Sequence, residues 1–163
     1  MNVADLTGIT LDYWVARGLP DFVREIYFTD SGTKVAVRGN DRGKPWDGRF
    51  TPSTSWEAAG VVLERAKRFE VRERQAGELV RCITEFEGAG QVIEAEGDCV
   101  RIALLRAFVK SRFGDTVGEM LRHPQALLGG RVEPVAEPSV VGDVADLPAP
   151  DGRIGDIGSP PRP

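Results

Sequence analysis

With 163 residues and 41% hydrophobic content, the chain can build one globular domain and still have length to spare. Its formal net charge of −4 argues against a broadly basic nucleic-acid footprint. No basic–apolar–small pattern at the start marks a signal peptide, and no run of about 18 apolar residues marks a membrane span. Cys82 and Cys99 are the only cysteines, read as reduced cytosolic thiols rather than a disulfide framework.

Residues 6–17 read as a short helix. Thr7 is the candidate N-cap, and Leu11, Trp14 and Val15 form an apolar face at i, i+3, i+4. Gly18 offers a left-handed C-terminal position, and Pro20 stops the helix. Residues 25–28 and 34–38 read as a hairpin around the turn cluster Asp30-Ser31-Gly32, with Val35 and Val37 alternating against Lys34, Ala36 and Arg38. Residues 39–49 read as a polar loop that holds Trp46. Thr54 and Glu57 fit a capping box. They predict one helical turn over 55–59, closed by Gly60, with an apolar strand starting at 61–63. A charged strand is expected over 64–75, and two more strands over 79–86 and 91–95, joined by a turn with two glycines.

Residues 98–113 form the expected central helix. Val100, Ala103, Leu104, Ala107 and Phe108 recur at i, i+3, i+4, i+7, i+8, and Ile102, Leu105 and Val109 add a second apolar side. Such a helix must be covered on more than one side. Asp98 is its candidate N-cap and Gly114 its C-terminal glycine. From Pro124 the composition changes, with eight prolines and six glycines in the last 40 residues. That stretch cannot bury enough surface to offset its ordering entropy. The fold expected is α+β: a small, mainly antiparallel sheet packed around the C-terminal helix, with a short N-terminal helix. The domain spans 1–123, and a disordered Pro/Gly-rich tail spans 124–163.

Three stretches in register resemble the NinX-like proteins of lambdoid phages and prophages, a domain-of-unknown-function family. The first is Leu6-Thr7-Gly8-Ile9-Thr10-Leu11-Asp12-Tyr13-Trp14-Val15-Ala16-Arg17. The second is Phe50-Thr51-Pro52-Ser53-Thr54-Ser55-Trp56, with Gly60 and Glu64-Arg65 after it. The third is Arg106-Ala107-Phe108-Val109-Lys110-Ser111-Arg112-Phe113-Gly114-Asp115. Together they cover residues 5–117. Phe50 stands for the family's usual tyrosine, Ser55 for its usual aspartate, and Ala59 where glycine is frequent. The resemblance implies phage or prophage origin and action in the bacterial cytoplasm. It brings no catalytic motif.

The residues offer little for catalysis. His123 is the only histidine and sits beside Pro124; no nucleophile elbow, phosphate loop or dinucleotide fingerprint is present. No metal site and no cofactor are expected. The resembling blocks do combine aromatic rings with cations and hydroxyls: Tyr13, Trp14 and Arg17; Ser53, Thr54, Trp56 and Arg65; Arg106, with Lys110 and Phe113 beside it. One expectation is therefore a non-enzymatic pocket that binds or sequesters a small anionic, nucleotide-like ligand, with a counter-defence role as one use. Trp14 or Trp56 would stack on the ligand, and Arg17, Arg65 or Arg106 would pair its charge. The plain alternative makes the tryptophans core and the two hydroxyls helix caps. A second expectation is a protein-interaction module that modulates a host or phage protein through the 39–49 loop and the tail. Neither a membrane nor double-stranded DNA is an expected partner, and oligomeric state stays open.

Overall fold

A computed structural model of the protein describes residues 1–72, 77–128 and 131–134. Backbone contacts divide the chain into Met1–Glu133 and Pro134–Pro163, and the fold described is that of the first unit. A 3-10 turn, Val3–Asp5, precedes helix α1, Gly8–Arg17. Then come β1 (Val23–Thr29), β2 (Lys34–Asp41), β3 (Lys44–Arg49), α2 (Trp56–Leu63), β4 (Ala66–Arg72), β5 (Val80–Phe86), β6 (Val92–Gly97), α3 (Val100–Phe113), β7 (Gln125–Leu128) and β8 (Arg131–Pro134). The class is α+β, as the pattern predicts. Two sheets stand in place of the single sheet expected, ordered β3-β2-β1-β7-β8 and β4-β5-β6. The pairings β1–β2, β2–β3, β1–β7, β4–β5 and β5–β6 are all antiparallel. The physical reason is local: α2 interrupts the run of strands after β3, and β7 rather than β4 takes the second edge of β1.

The helices carry the core. Ala103, Leu104, Leu105, Ala107, Phe108 and Val109 of α3 are fully buried. α3 lies on β5 and β6 and also meets α1 and α2, so its two apolar sides have two different covers. Phe108 meets Phe86 of β5 edge-on, with ring centres 5.2 Å apart. α1 in turn lies on β1 and β2. Gly18 ends α1 at φ −83°, not in the left-handed region. Glycine is needed there for space, because a Cβ would lie 2.8 Å from Phe108 Cε2.

Several local expectations are corrected. Residues 39–49 are not a loop: β2 runs on to Asp41 and pairs with β3 through a two-residue turn. Arg42 (φ 56°) and Gly43 (φ 93°) both take the left-handed conformation that such tight hairpins require. Asn40 Oδ1 accepts from the Gly43 N–H at 2.7 Å and braces the turn. Trp46 folds back onto Phe22 and Phe50. α2 continues through Gly60 to Leu63, so 61–63 is helix and not strand, because Ala58, Ala59, Val61 and Val62 form one buried helical face. Its N-cap is Ser55, whose Oγ accepts from the Ala58 N–H at 3.3 Å, and not Thr54. α3 is capped at Cys99 rather than Asp98, and neither Cys99 nor Thr7 makes a side-chain cap bond. The charged strand forms over Ala66–Arg72, while its expected last residues, 73–75, lie outside the described residues.

The tail expected from residue 124 is corrected over its first stretch. β7 pairs with β1, Leu127 is buried, and Gln125 is fully buried with its side chain bonded on both ends. A four-residue strand is too short to show a period. Residues 135–163 of that tail lie outside the described residues.

Candidate functional site

The eight residues singled out from the sequence fall into five neighbourhoods, the last of them the cleft at Arg106. In the first, Tyr13 is buried, and its hydroxyl donates to Gln125 Oε1 at 2.7 Å. Trp14 is buried edge-on between Tyr13 and Phe113. The Arg17 guanidinium lies 4.9 Å over the Trp14 ring. Trp14 Nε1, Arg17 Nε and Arg112 Nε are buried donors with no described partner. Burial holds the Arg112 guanidinium below its ordinary pKa; Asp21 works against that, and Arg65 adds to it. Arg17 and Arg112 occupy the last turns of α1 and α3, where unsatisfied carbonyls carry partial negative charge. Helix C-termini repel an incoming anion, so these cations are better read as dipole partners than as an anion pocket.

The second neighbourhood is an interior hydrogen-bonded hinge between α1 and the loop before α2. Asp12, 4% exposed, accepts from the Ser53 backbone N–H at 2.7 Å and from its hydroxyl at 3.0 Å. Burial pushes the Asp12 carboxyl up from 3.8 to about 6, while the two Ser53 bonds and the Lys34 charge pull it down. The sign of the linkage follows. Between those two values the folded chain holds a proton that the unfolded chain has released. The stability this group contributes is therefore complete in acid and is lost as pH rises toward and past about 6. A shift of this size corresponds to about 3 kcal/mol at most. Thermal melts across this pH range should show that decline in the native protein and a flatter profile in Asp12→Asn. Thr54 is exposed, and its hydroxyl donates to Thr51 O at 3.4 Å.

Trp56 belongs to the third neighbourhood. It is 49% exposed, with the Arg101 guanidinium 5.6 Å from its ring. Arg101 Nε also donates to Ser53 O at 3.0 Å. The fourth is the Arg65 cluster. Arg65, 2% exposed, donates from Nε and Nη2 to Asp21 Oδ2, from Nη2 to Asp41 Oδ1 at 2.8 Å, and from Nη1 to Val61 O at 2.7 Å. Burial disfavours its charge, but the bonds to Asp41 and Asp21 outweigh this and hold its pKa above the ordinary value. Arg65 is thus fully engaged inside the protein. The expected convergence of Arg17, Trp56 and Arg65 on one pocket is not seen: each is held by different partners.

Arg106 lines a cleft of about 530 Å³ that the other seven do not share. The cleft runs between the outer edge of β6 and the N-terminal residues Asn2, Val3 and Ala4, with Arg106 and Lys110 of α3 along its side. β6 is an edge strand, so its outward carbonyls need partners. Arg106 Nη1 donates to Glu96 O at 2.9 Å, and Lys110 Nζ to Glu94 O at 3.3 Å. The spacing i, i+4 on the helix thus matches i, i+2 on the strand. Arg106 Nε donates to Leu6 O at 3.0 Å, which ties the N-terminal segment to the same helix. Across the cleft Arg81 pairs with Glu94 and Glu96, and Lys110 pairs with Asp115. Arg106, 7% exposed, has no carboxylate partner among the described residues. No aromatic ring lines the cleft. Lys110 stands beside Arg106 in the third resembling block without being one of the eight, whereas nothing in the sequence singles out Arg81 or Asn2; the helical spacing of Arg106 and Lys110 is the available signal. Among the described residues no group of three His, Cys, Asp or Glu is placed to hold a metal ion.

A family model described as Bacteriophage P22, NinX matches residues 2–112. The chain belongs to the NinX family. That NinX-family match spans all eight marked residues and Lys110 as well. No curated protein matches the sequence. No helix among the described residues of this NinX-family chain is long and apolar enough to cross a membrane.

Proposed function

We propose that this NinX-family protein is a phage accessory protein that acts without catalysis, by holding a small anionic ligand in the cleft at Arg106. Support comes from one observation: a guanidinium 7% exposed lines the cleft and forms no ion pair with a described carboxylate, while its neighbours Arg81 and Lys110 are paired with Glu94, Glu96 and Asp115. A buried cation whose charge is met only by carbonyls favours an incoming anion. The ligand's phosphate or carboxylate is what Arg106 would hold. A stacked base is not part of the proposal, since the lining is free of aromatic rings. Sequestering a nucleotide-like signal in the cytoplasm of the infected cell is the use that fits a phage accessory protein.

Thermal-shift and calorimetric titration with inorganic phosphate, a mononucleotide, a cyclic dinucleotide and ADP-ribose tests it. At least one should raise the midpoint. Arg106→Gln, checked for native fold by circular dichroism, should weaken that ligand about 10- to 100-fold, the loss of a charge-assisted hydrogen bond. No shift across the panel, or equal binding by the variant, removes the proposal.

A further inference from the structure

α2 turns Ala58, Ala59, Val61 and Val62 inward and packs on α3. Among the described residues its opposite face stays exposed at Trp56 and Leu63. Trp56, Gly60 and Leu63 follow one another there at i, i+4, i+7, so they share one stripe. Trp56 is 49% and Leu63 37% exposed, and a Cβ at Gly60 would meet nothing within 4 Å. Every other Phe, Tyr and Trp among the described residues is buried or half-buried. Arg101, anchored on Ser53 O, lies with its guanidinium 5.6 Å from the Trp56 ring, a contact that favours one placement of the aromatic anchor.

Beside the stripe stand Glu57 and Glu64, again seven residues apart and on one face, both exposed. Neither takes part in an ion pair with a described residue. The strand carboxylates differ: Glu25, Glu70, Glu85, Glu94 and Glu96 each form an ion pair with an arginine or lysine. A short helix with an apolar stripe and an unpaired acidic border is complementary to a helix of the reverse pattern. A second copy laid antiparallel on the same face would instead align four carboxylates along one seam.

We infer that this face of α2 docks a basic amphipathic segment of another protein, with apolar side chains on Trp56 and Leu63 and lysine or arginine on Glu57 and Glu64. This surface is separate from the cleft, and neither proposal depends on the other. The test uses the full chain and two designed helical peptides, one of Leu and Lys, the other of Leu and Glu, followed by calorimetry and tryptophan fluorescence. The Leu/Lys peptide should bind and shift the emission to shorter wavelength, more weakly as salt rises. Trp56→Ala should weaken it about tenfold or more, and the pair Glu57→Gln with Glu64→Gln should weaken it several-fold; the Leu/Glu peptide should not bind. Equal affinity for both peptides, no binding of either, or binding unchanged in Trp56→Ala overturns the inference. So does light scattering that finds a dimer dispersed by Trp56→Ala, which would make the occupant a second copy.

Discussion

Arg65→Ala should cost about 3–5 kcal/mol of folding free energy, a fall in the thermal midpoint of roughly 10–20 °C. The guanidinium is buried and bonded to Asp41, Asp21 and the Val61 carbonyl. Removing it strands the Asp41 carboxylate, itself only 10% exposed, without a cation. That is the costly way to break a buried pair; replacing both partners is milder. Arg65→Ala combined with Asp41→Asn should therefore be more stable than Arg65→Ala alone. Urea melts of the native protein, the single variant and the double variant give the comparison. A native midpoint for Arg65→Ala would mean that the cluster contributes nothing. The residue looks like a ligand-binding arginine in the sequence, because an arginine beside Glu64 after a Ser/Thr-rich turn has the composition of an anion site. Its acceptors, Asp21 and Asp41, come from other segments and are invisible in the local pattern.

Gly39→Ala should also destabilise strongly, by about 3 kcal/mol. A Cβ at this position would lie 1.9 Å from Phe22 O and 3.0 Å from Val23 Cα. Both are backbone atoms, so no side chain can step aside. The contact sits where the β1–β2 register slips between Val23 and Glu25. Phe22 O also accepts from the Asn40 N–H at 2.9 Å, so pushing it away breaks a bond that continues the pairing past the bulge. Equilibrium unfolding in urea reads the loss, and an unchanged midpoint would show that the bulge can relax at little cost.

What was legible in the sequence was what short-range periodicity controls. α1, α3, the β1–β2 hairpin and the strands β4 to β6 follow from alternation, helical stripes and glycine turns. The missed elements each depend on something distant. β3 hides among glycines and a proline because an edge strand tolerates them and Arg42-Gly43 is a less familiar tight-turn pair than Asn-Gly. α2 passes through Gly60 because packing on α3 outweighs the cost of about 1 kcal/mol for a mid-helix glycine. β7 is fixed by β1 and by Tyr13, a hundred or so residues earlier. The marked site residues fared as their surroundings dictate. Tyr13, Trp14, Ser53 and Arg65 have the residue types of a binding site, yet their partners are internal. Arg106 differs only in that the third dimension leaves a hollow beside it.

The pairing of β1 with β7 sets a timetable for the nascent chain. The Val3 N–H bonds to Asp115 O, Met1 and Val117 bond to each other, and Tyr13 waits for Gln125. Synthesis runs from the first residue to the last, at about 5–20 residues per second. The opening segment therefore spends on the order of ten seconds outside the ribosome before its partners emerge. During that interval Val3, Leu6 and the apolar face of α1 are open to chaperones and proteases, and only the arrival of Gln125 closes the account.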